Sequence, residues 1–107
     1  MSVELVWSDR AKLRMVEIGD FIADRDPALA VLTITSLFDR VAVLADHPQM
    51  GSVFPGSPTD NLRIMYFGKY RVFYLFDSSL PRVTILTVRH GRQASLSLER
   101  ALDDEEP

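Results

Sequence analysis

The side chains best suited to chemistry are concentrated in the last half of the chain. They are arginines and one histidine, with tyrosines between them: Arg63, Arg71, Arg89, His90 and Arg92, with Tyr66, Tyr70 and Tyr74. An arginine guanidinium binds phosphate through two parallel hydrogen bonds, and an aromatic ring can stack on a nucleic-acid base. The pattern is typical of a surface that meets a polyanion. Some of these arginines could equally be structural residues at strand edges that pair with carboxylates.

Other kinds of site are disfavoured by the composition. The chain has no cysteine, which removes thiolate metal sites, disulfides and thiol catalysis. Its two histidines, His47 and His90, lie far apart in the sequence, and there is no glycine-rich phosphate loop. The acid/base candidates in the second half are Asp60, Asp77 and His90. We therefore predict neither a metal site nor a cofactor.

The charge of the chain is unevenly distributed. The 107 residues carry a net charge of −3, yet residues 61–98 hold six basic side chains against Asp77 alone. Nucleic-acid-binding domains are usually basic overall, so any polyanion contact is expected to be local. The length and the 47% hydrophobic content fit one globular domain. Since no apolar run reaches the ~18–20 residues of a membrane span, we expect a soluble, cytoplasmic protein without a membrane contact.

The first half of the chain predicts a strand and two helices. Val3 to Trp7 is β-branched and aromatic, which is typical of a strand. Ser8 then precedes an apolar stripe of helical spacing that should end near Arg25. Asp26 and Pro27 suit the start of a second helix, which should end near His47. The short link between them predicts an antiparallel helical hairpin.

The second half predicts a meander of three strands after a loop at residues 47–60. The strands are Leu62–Phe67, Tyr70–Phe76 and Val83–Val88. A two-residue turn at Gly68-Lys69 would pair residues whose numbers sum to 137, such as Met65 with Val72. Residues 93–102 predict a short C-terminal helix, which completes a single domain of residues 1–102. Residues 103–107 predict a flexible acidic tail.

These elements predict an α+β fold. The first strand joins the edge of an antiparallel sheet, and the two-helix hairpin packs on one face of that sheet. The other face is expected to be free for a ligand or partner. We also expect Met65, Phe67 and Val72 to remain as apolar groups that a partner could cover.

The order and spacing of several short motifs resemble a known superfamily. They are Trp7-Ser8 entering a helix, Leu62-Arg63, the segment YRVFY at 70–74, and VRHGR at 88–92. Together they cover nearly the whole chain and resemble the RelE/ParE toxins of bacterial type II toxin–antitoxin systems. The resemblance implies a cognate antitoxin encoded nearby, a toxin–antitoxin hetero-oligomer, and DNA contact only through that complex.

The superfamily resemblance implies one of two activities. RelE-like members cut mRNA on the ribosome, and in that case Arg71, His90 and Arg92 match catalytic positions. ParE-like members are known chiefly as inhibitors of DNA gyrase. Ribonuclease members often carry lysines on the strand before the YR motif and an aromatic acid/base residue near the C-terminus. Both are missing from Leu62–Tyr66 and from residues 93–102, so the resemblance favours the ParE-like branch.

Three functions therefore remain open at the level of sequence. The preferred one is a ParE-like toxin that binds gyrase. The alternatives are a RelE-like ribosome-dependent mRNA endonuclease and a non-toxic, degenerate antitoxin-binding module. For contact with the antitoxin or the target we predict the following residues: Arg63, Met65, Phe67, Tyr70, Arg71, Tyr74, Arg89 and Arg92.

Overall fold

Two helices cover one face of a five-stranded sheet in the computed structural model, which describes residues 2–57 and 61–90. The elements are β1 (Glu4–Trp7), α1 (Asp9–Ala23), α2 (Pro27–Ala42), β2 (Ser52–Val53), β3 (Leu62–Phe67), β4 (Tyr70–Asp77) and β5 (Arg82–His90). A 3₁₀ turn at Val43–Ala45 extends α2. This arrangement confirms the predicted α+β fold. The predicted C-terminal helix, the acidic tail and Arg92 lie outside the described residues.

The sheet is mixed, with strand order β1-β5-β4-β3-β2. Its β3–β4 hairpin has the predicted register, with Met65 opposite Val72 and Gly68 at φ 56° in the turn. The first strand joins the edge of the antiparallel meander as predicted, and its direction, which the sequence left open, is parallel to β5. The chain leaves β1 through the helical hairpin rather than through a tight turn, so no local geometry forces an antiparallel pairing. The short strand β2 was not predicted and lies within the expected loop.

Both helices begin at the predicted capping residues. The Ser8 hydroxyl oxygen accepts a hydrogen bond from the Ala11 N–H at 3.0 Å, and the Asp26 carboxylate accepts one from the Leu29 N–H at 3.0 Å. Each cap satisfies an N–H group that the first helical turn leaves unpaired. The helices then approach closely at Gly19, where an added Cβ would lie 3.3 Å from Ile34 Cγ1. An alanine at this position would require the Ile34 side chain to shift by a few tenths of an ångström.

The main core lies between the helices and the sheet. The helices contribute Ala11, Met15, Leu37, Val41 and Leu44 to it, and the strands contribute Met65, Val72, Tyr74, Val83, Ile85 and Val88. The expectation that Met65 and Val72 remain accessible is therefore wrong. Strand alternation places both on the helix-covered face, where they are buried, while Phe67 on the same face is only partly buried.

A smaller cluster lies on the other face of the sheet. It consists of Phe54, Leu62, Ile64 and Phe73, with Leu86 packed beside it. The Phe54 ring meets the Phe73 ring edge to face at a centroid distance of 5.4 Å. Because the segment after β2 folds over the sheet here, the expectation of an entirely free second face is wrong. Burial of these rings also fixes the position of the preceding loop.

The second helix is unusually apolar on its exposed side. By length and composition alone, Pro27–Ala45 could cross a membrane. Its inner residues, including Leu37 and Val41, instead pack on the sheet, as in a core helix of a soluble protein. Its outer residues Val31 and Leu32 remain 67% and 62% exposed. This helix is thus apolar on both sides but buried on one.

Candidate functional site

A bulge in β5 decides which face of the sheet each candidate side chain occupies. Phe73 pairs with Thr87 and Tyr74 pairs with Ile85, so Leu86 is an extra residue without a partner on β4. An inserted residue reverses the alternation of the strand beyond it. Val83 and Ile85 face the helices before the bulge, and Val88 faces them after it. Arg89 therefore points away from the helices and His90 toward them.

The face away from the helices carries an arginine pair. Arg71 on β4 lies directly opposite Arg89 on β5, and the two residues are only 7% and 2% exposed. The Arg71 guanidinium lies 6.0 Å from the ring centroid of Tyr66, its cross-strand neighbour on β3 and a largely exposed residue. The two arginines thus form a largely buried cross-strand pair on this face. Two guanidinium groups beside an exposed aromatic ring can bind a phosphate or a carboxylate.

His90 belongs to a different surface. Its ring meets the ring of Tyr70 edge to face at 5.7 Å, on the helix side of the sheet. Burial raises the pKa of the Tyr70 hydroxyl above its ordinary value, which keeps that group protonated at neutral pH. Since the sheet separates His90 from Arg71, the two side chains do not converge on one point. Of the three catalytic residues that the RelE-like alternative would need, Arg71 and His90 thus lie on opposite faces of the sheet. The third, Arg92, lies outside the described residues.

A cleft of about 660 Å³ opens beside His90. Residues of α1 form one wall, the start of α2 forms another, and the β3–β4 turn forms the third: Arg14, Glu17, Ile18, Phe21, Ile22, Arg25, Asp26, Leu29, Thr33, Phe67, Gly68, Lys69, Tyr70 and His90. Phe21 is exposed in this cleft, and the Arg25 guanidinium stacks 5.1 Å from its ring centroid. The cleft is therefore largely apolar at its walls, with charged side chains of both signs around it: Arg14, Arg25 and Lys69 with Glu17 and Asp26. It could hold an apolar peptide segment that also carries charged side chains.

Arg14 shapes one side of this cleft. Its Nε donates to the Val88 carbonyl oxygen at 3.1 Å, and its Nη1 lies 2.9 Å from a Glu17 carboxylate oxygen. These contacts tie α1 to the end of β5. Arg14, Phe21, Arg25 and Lys69 were not predicted as site residues, because their grouping depends on the helix–sheet packing. The only sequence signal was the apolar stripe of the first helix, which Phe21 widens.

Two of the predicted site residues serve the structure instead. The Tyr74 hydroxyl donates to the Pro48 carbonyl oxygen at 2.9 Å and accepts from the Gly51 N–H at 2.8 Å. Arg63 Nη1 donates to the Gly51 carbonyl oxygen at 2.6 Å. Tyr74 is fully buried, and burial raises its pKa. Together these side chains fix the loop between α2 and β2.

Gly51 is required at the centre of that loop. A Cβ added there would lie 2.7 Å from both the Ile64 carbonyl oxygen and the Tyr74 hydroxyl oxygen. No side chain other than hydrogen fits this space without a shift of the backbone. Among residues 2–57 and 61–90, no group of three or more histidine, aspartate or glutamate residues is placed to hold a metal ion.

Comparison with protein families gives a decisive match. The family described as the ParE toxin of the type II toxin–antitoxin system parDE matches residues 5–95. The chain belongs to the ParE toxin family. No curated protein sequence matches this ParE-family chain.

Solved structures of related toxins share the fold of this ParE-family protein. A chain of the chromosomal ParDE system of P. aeruginosa has a TM-score of 0.70 and 16% identity, covering 83% of this chain and 96% of that one. A chain of the M. tuberculosis RelBE2 toxin–antitoxin complex has a TM-score of 0.60 and 18% identity, covering 84% and 99%. A mutant E. coli RelE toxin in the free state has a TM-score of 0.61 and 16% identity, covering 89% and 88%. At these identities the structures establish the fold and not the activity.

Proposed function

We propose that this ParE-family toxin arrests growth by binding DNA gyrase, without cutting RNA, and that a cognate antitoxin neutralises it. The main support is the placement of Arg71 and His90 on opposite faces of the sheet. Cleavage of a phosphodiester bond requires the phosphate-binding group and the acid/base group to reach the same few atoms. A binding mechanism has no such requirement.

The arginine pair is the proposed contact with the gyrase–DNA complex. Arg71 and Arg89 are cross-strand neighbours with largely buried side chains, and Tyr66 offers an exposed ring beside Arg71. We propose that this small cationic site makes a local contact with an acidic or phosphate group of the target, on a protein whose total charge is −3. Arg92, which lies outside the described residues, is proposed as a further cation for this contact.

The cleft beside His90 is the proposed site for part of the antitoxin. Phe67 and Tyr70 form its floor, and Phe21 is exposed at its wall. Antitoxin segments that fold on binding need apolar anchoring points with charged groups around them. Of the residues predicted from the sequence, Phe67 and Tyr70 are accessible here, whereas Met65 and Tyr74 are buried.

A RelE-like ribonuclease is the second candidate. The observation that favours it is the Arg71–Arg89 pair, because two adjacent guanidinium groups suit a scissile phosphate. It would require an acid/base group on the same face, and His90 does not supply one.

Two purified assays separate these activities. We expect the protein to inhibit the supercoiling of DNA by gyrase. We also expect mRNA to remain uncut when the protein is added to translating ribosomes. Cleavage of mRNA with normal supercoiling would overturn the proposal in favour of the ribonuclease. Normal growth on expression, with both assays negative, would favour a degenerate antitoxin-binding module.

The antitoxin proposal is tested by co-expression with the neighbouring open reading frame. We expect the two products to co-purify and growth to recover. Phe21→Glu, in the cleft, should weaken co-purification without reducing gyrase inhibition. The control is Leu80→Glu, a comparably exposed apolar residue in the β4–β5 turn, which should behave as the wild type. Equal co-purification of both variants would rule out the cleft as the antitoxin site.

A further inference from the structure

The strand β1 lies at one edge of the sheet and has backbone groups that no strand pairs. The N–H groups of Glu4 and Ser8 each donate, at 3.0 Å, to a carbonyl oxygen in or next to β5. Successive residues of a strand direct their backbone groups to opposite sides, so the N–H and C=O groups of Leu5 and Trp7 point away from β5. In the part of the chain that the structure describes, no backbone group forms a hydrogen bond with these four groups.

The open part of this edge is short and apolar. On the same side of β1, the Val3 N–H donates to the Ala45 carbonyl oxygen at 2.8 Å, so the 3₁₀ turn closes the edge before Leu5. At the other end, the chain leaves the sheet to begin α1. Leu5 and Trp7 pack against the main core, and alternation therefore points the partly buried Val6 to the other face. The open stretch is thus apolar on both faces of the sheet.

Edge strands usually carry a feature that prevents pairing with another chain. Such features are a charged side chain, a proline, a bulge or a very short strand. At the opposite edge of this sheet, β2 is only two residues long, and Pro55 follows it closely. Between Leu5 and Trp7, β1 has no charge and no proline, and its register with β5 is regular. Apolar residues on both faces are typical of a strand inside a sheet, which points to another strand beside β1.

We propose that β1 pairs with β1 of a second copy of this protein in antiparallel orientation, which joins the two five-stranded sheets into one. In this register Val6 lies opposite Val6 of the second copy, at the two-fold axis. Leu5 lies opposite Trp7 of the second copy, and the two symmetric pairs exchange four backbone hydrogen bonds. The axis is perpendicular to the sheet, so the helices of both copies lie on the same face. The inference depends on neither the proposed target nor the proposed antitoxin site.

The shape of the edge favours a second copy over an extended peptide. A strand that runs past Leu5 in the antiparallel direction meets Ala45, which already occupies the edge beside Val3. The β1 strand of a second copy ends before this point, because the residue opposite Val3 would be Asp9, where α1 begins. A disordered peptide would also lose conformational entropy in exchange for four backbone hydrogen bonds, whereas β1 is already ordered.

Backbone geometry selects the antiparallel orientation. A symmetric parallel pair requires a two-fold axis that runs along the strands, which places each residue level with the same residue of the second copy. The N–H group of Leu5 would then face the N–H group of the other Leu5, and carbonyl oxygens would face carbonyl oxygens. Only the antiparallel pair sets each donor opposite an acceptor.

Sedimentation of the purified protein between low and high micromolar concentration tests for this dimer. We expect a concentration-dependent shift from monomer to dimer, because the contact between the strands is short. Val6→Lys should raise the dissociation constant about fivefold or more, since two ammonium groups would replace an apolar pair at the axis. The control is Thr84→Lys, which should leave dimerisation unchanged. Thr84 is the neighbour of Val6 on β5, equally half-buried but one strand further from the second copy.

Cysteine cross-linking tests the register, and the chain is suited to it because it contains no cysteine. Two Val6→Cys residues would lie directly opposite each other with their Cα atoms about 4.5 Å apart, which permits a disulfide. Two Glu4→Cys residues, on the same face of the sheet, would lie about 13 Å apart along the strands, beyond the reach of a disulfide. We expect the first variant to form a covalent dimer in denaturing gels and the second to remain monomeric.

Several results would overturn the proposal. They are a monomer at about 200 μM, unchanged dimerisation of Val6→Lys, or cross-linking of Glu4→Cys as fast as that of Val6→Cys. If Val6→Lys melts far below Thr84→Lys, the comparison of the two cysteine variants decides. A toxin that is monomeric alone, in which Val6→Cys loses thiol reactivity only after co-expression with the neighbouring open reading frame, would assign the edge of β1 to the antitoxin instead.

Discussion

Ser8 and Leu86 join the start of α1 to the bulge in β5, since the Ser8 hydroxyl donates to the Leu86 carbonyl oxygen at 2.9 Å. The same hydroxyl oxygen caps α1 by accepting from the Ala11 N–H. One small side chain thus satisfies two backbone groups, an N–H of the first helical turn and a carbonyl of the irregular strand. The position of the helix on the sheet depends on this double contact.

Ser8→Ala should therefore destabilise the protein more than the loss of an ordinary cap. We expect a loss of about 2–3 kcal/mol in the free energy of unfolding, from the cap and from the unpaired Leu86 carbonyl. Denaturant unfolding measures it, with Ser78→Ala in an exposed turn as the control. A loss no greater than that of the control would mean that the Ser8 contacts contribute nothing to stability.

Tyr74→Phe should also be costly, although the ring is retained. The substitution leaves the Gly51 N–H and the Pro48 carbonyl without the hydroxyl partner that they share. We expect a loss of about 1–3 kcal/mol in the free energy of unfolding. Tyr66→Phe, at a largely exposed ring, should change it by less than about 0.5 kcal/mol. Equal effects of the two substitutions would contradict this role of the Tyr74 hydroxyl.

Alkaline pH should weaken the fold through the same tyrosine. Burial raises the pKa of Tyr74 in the folded state, so above about pH 10 the unfolded chain loses this proton first. The stabilising effect is fully present below the unfolded pKa and is lost as the pH rises through the folded pKa. The melting temperature of the wild type should thus fall more steeply above pH 10 than that of Tyr74→Phe. If the melting temperatures of the two proteins fell equally above pH 10, the result would contradict this role of Tyr74.

Arg71→Ala should reduce toxin activity more than it reduces stability. If the arginine pair contacts an acidic or phosphate group, loss of a charge-assisted hydrogen bond worth about 1.5–3 kcal/mol raises the inhibitory concentration about tenfold to a hundredfold. Arg71→Lys should recover only part of the activity, because lysine lacks the planar fork. Arg82→Ala removes an arginine that pairs with Glu4 at 2.9 Å, and should leave inhibition unchanged. Supercoiling assays and melting curves for the three variants measure the two effects separately.

The sequence predicted the structure best where that structure depends on residues close together in the chain. Ser8 and Asp26 identified both helix starts, and the two-residue turn at Gly68 fixed the β3–β4 register. The parallel pairing of β1 with β5 joins segments almost eighty residues apart, and no local pattern encodes it. The accessibility of Met65 was mispredicted because alternation gives two faces without saying which one the helices cover.

The candidate site was less predictable than the fold. The residue types at Arg71, Arg89 and His90 were evident from the sequence, and alternation alone places Arg89 and His90 on opposite faces. Which of the two shares the face of Arg71 depends on the extra residue Leu86. A bulge leaves little trace in a run such as Thr84–Val88, in which every residue suits a strand. The roles of Arg63 and Tyr74 in holding a loop could not be anticipated either, since their partners are backbone atoms of residues 48–51.

The extra residue in β5 has an evolutionary consequence. If the same sequence ran on as a regular strand with no bulge, His90 would point to the side of Arg71 and Arg89 to the helices. Deletion of Leu86 itself would only make the strand regular and leave Arg89 opposite Arg71. A one-codon deletion between the bulge and His90, with the bulge retained, is the change that would bring the imidazole to the side of Arg71. In proteins built on this sheet, a gain or loss of one amino acid near the end of the last strand can exchange the side chains offered to two different partners, with no substitution at either surface.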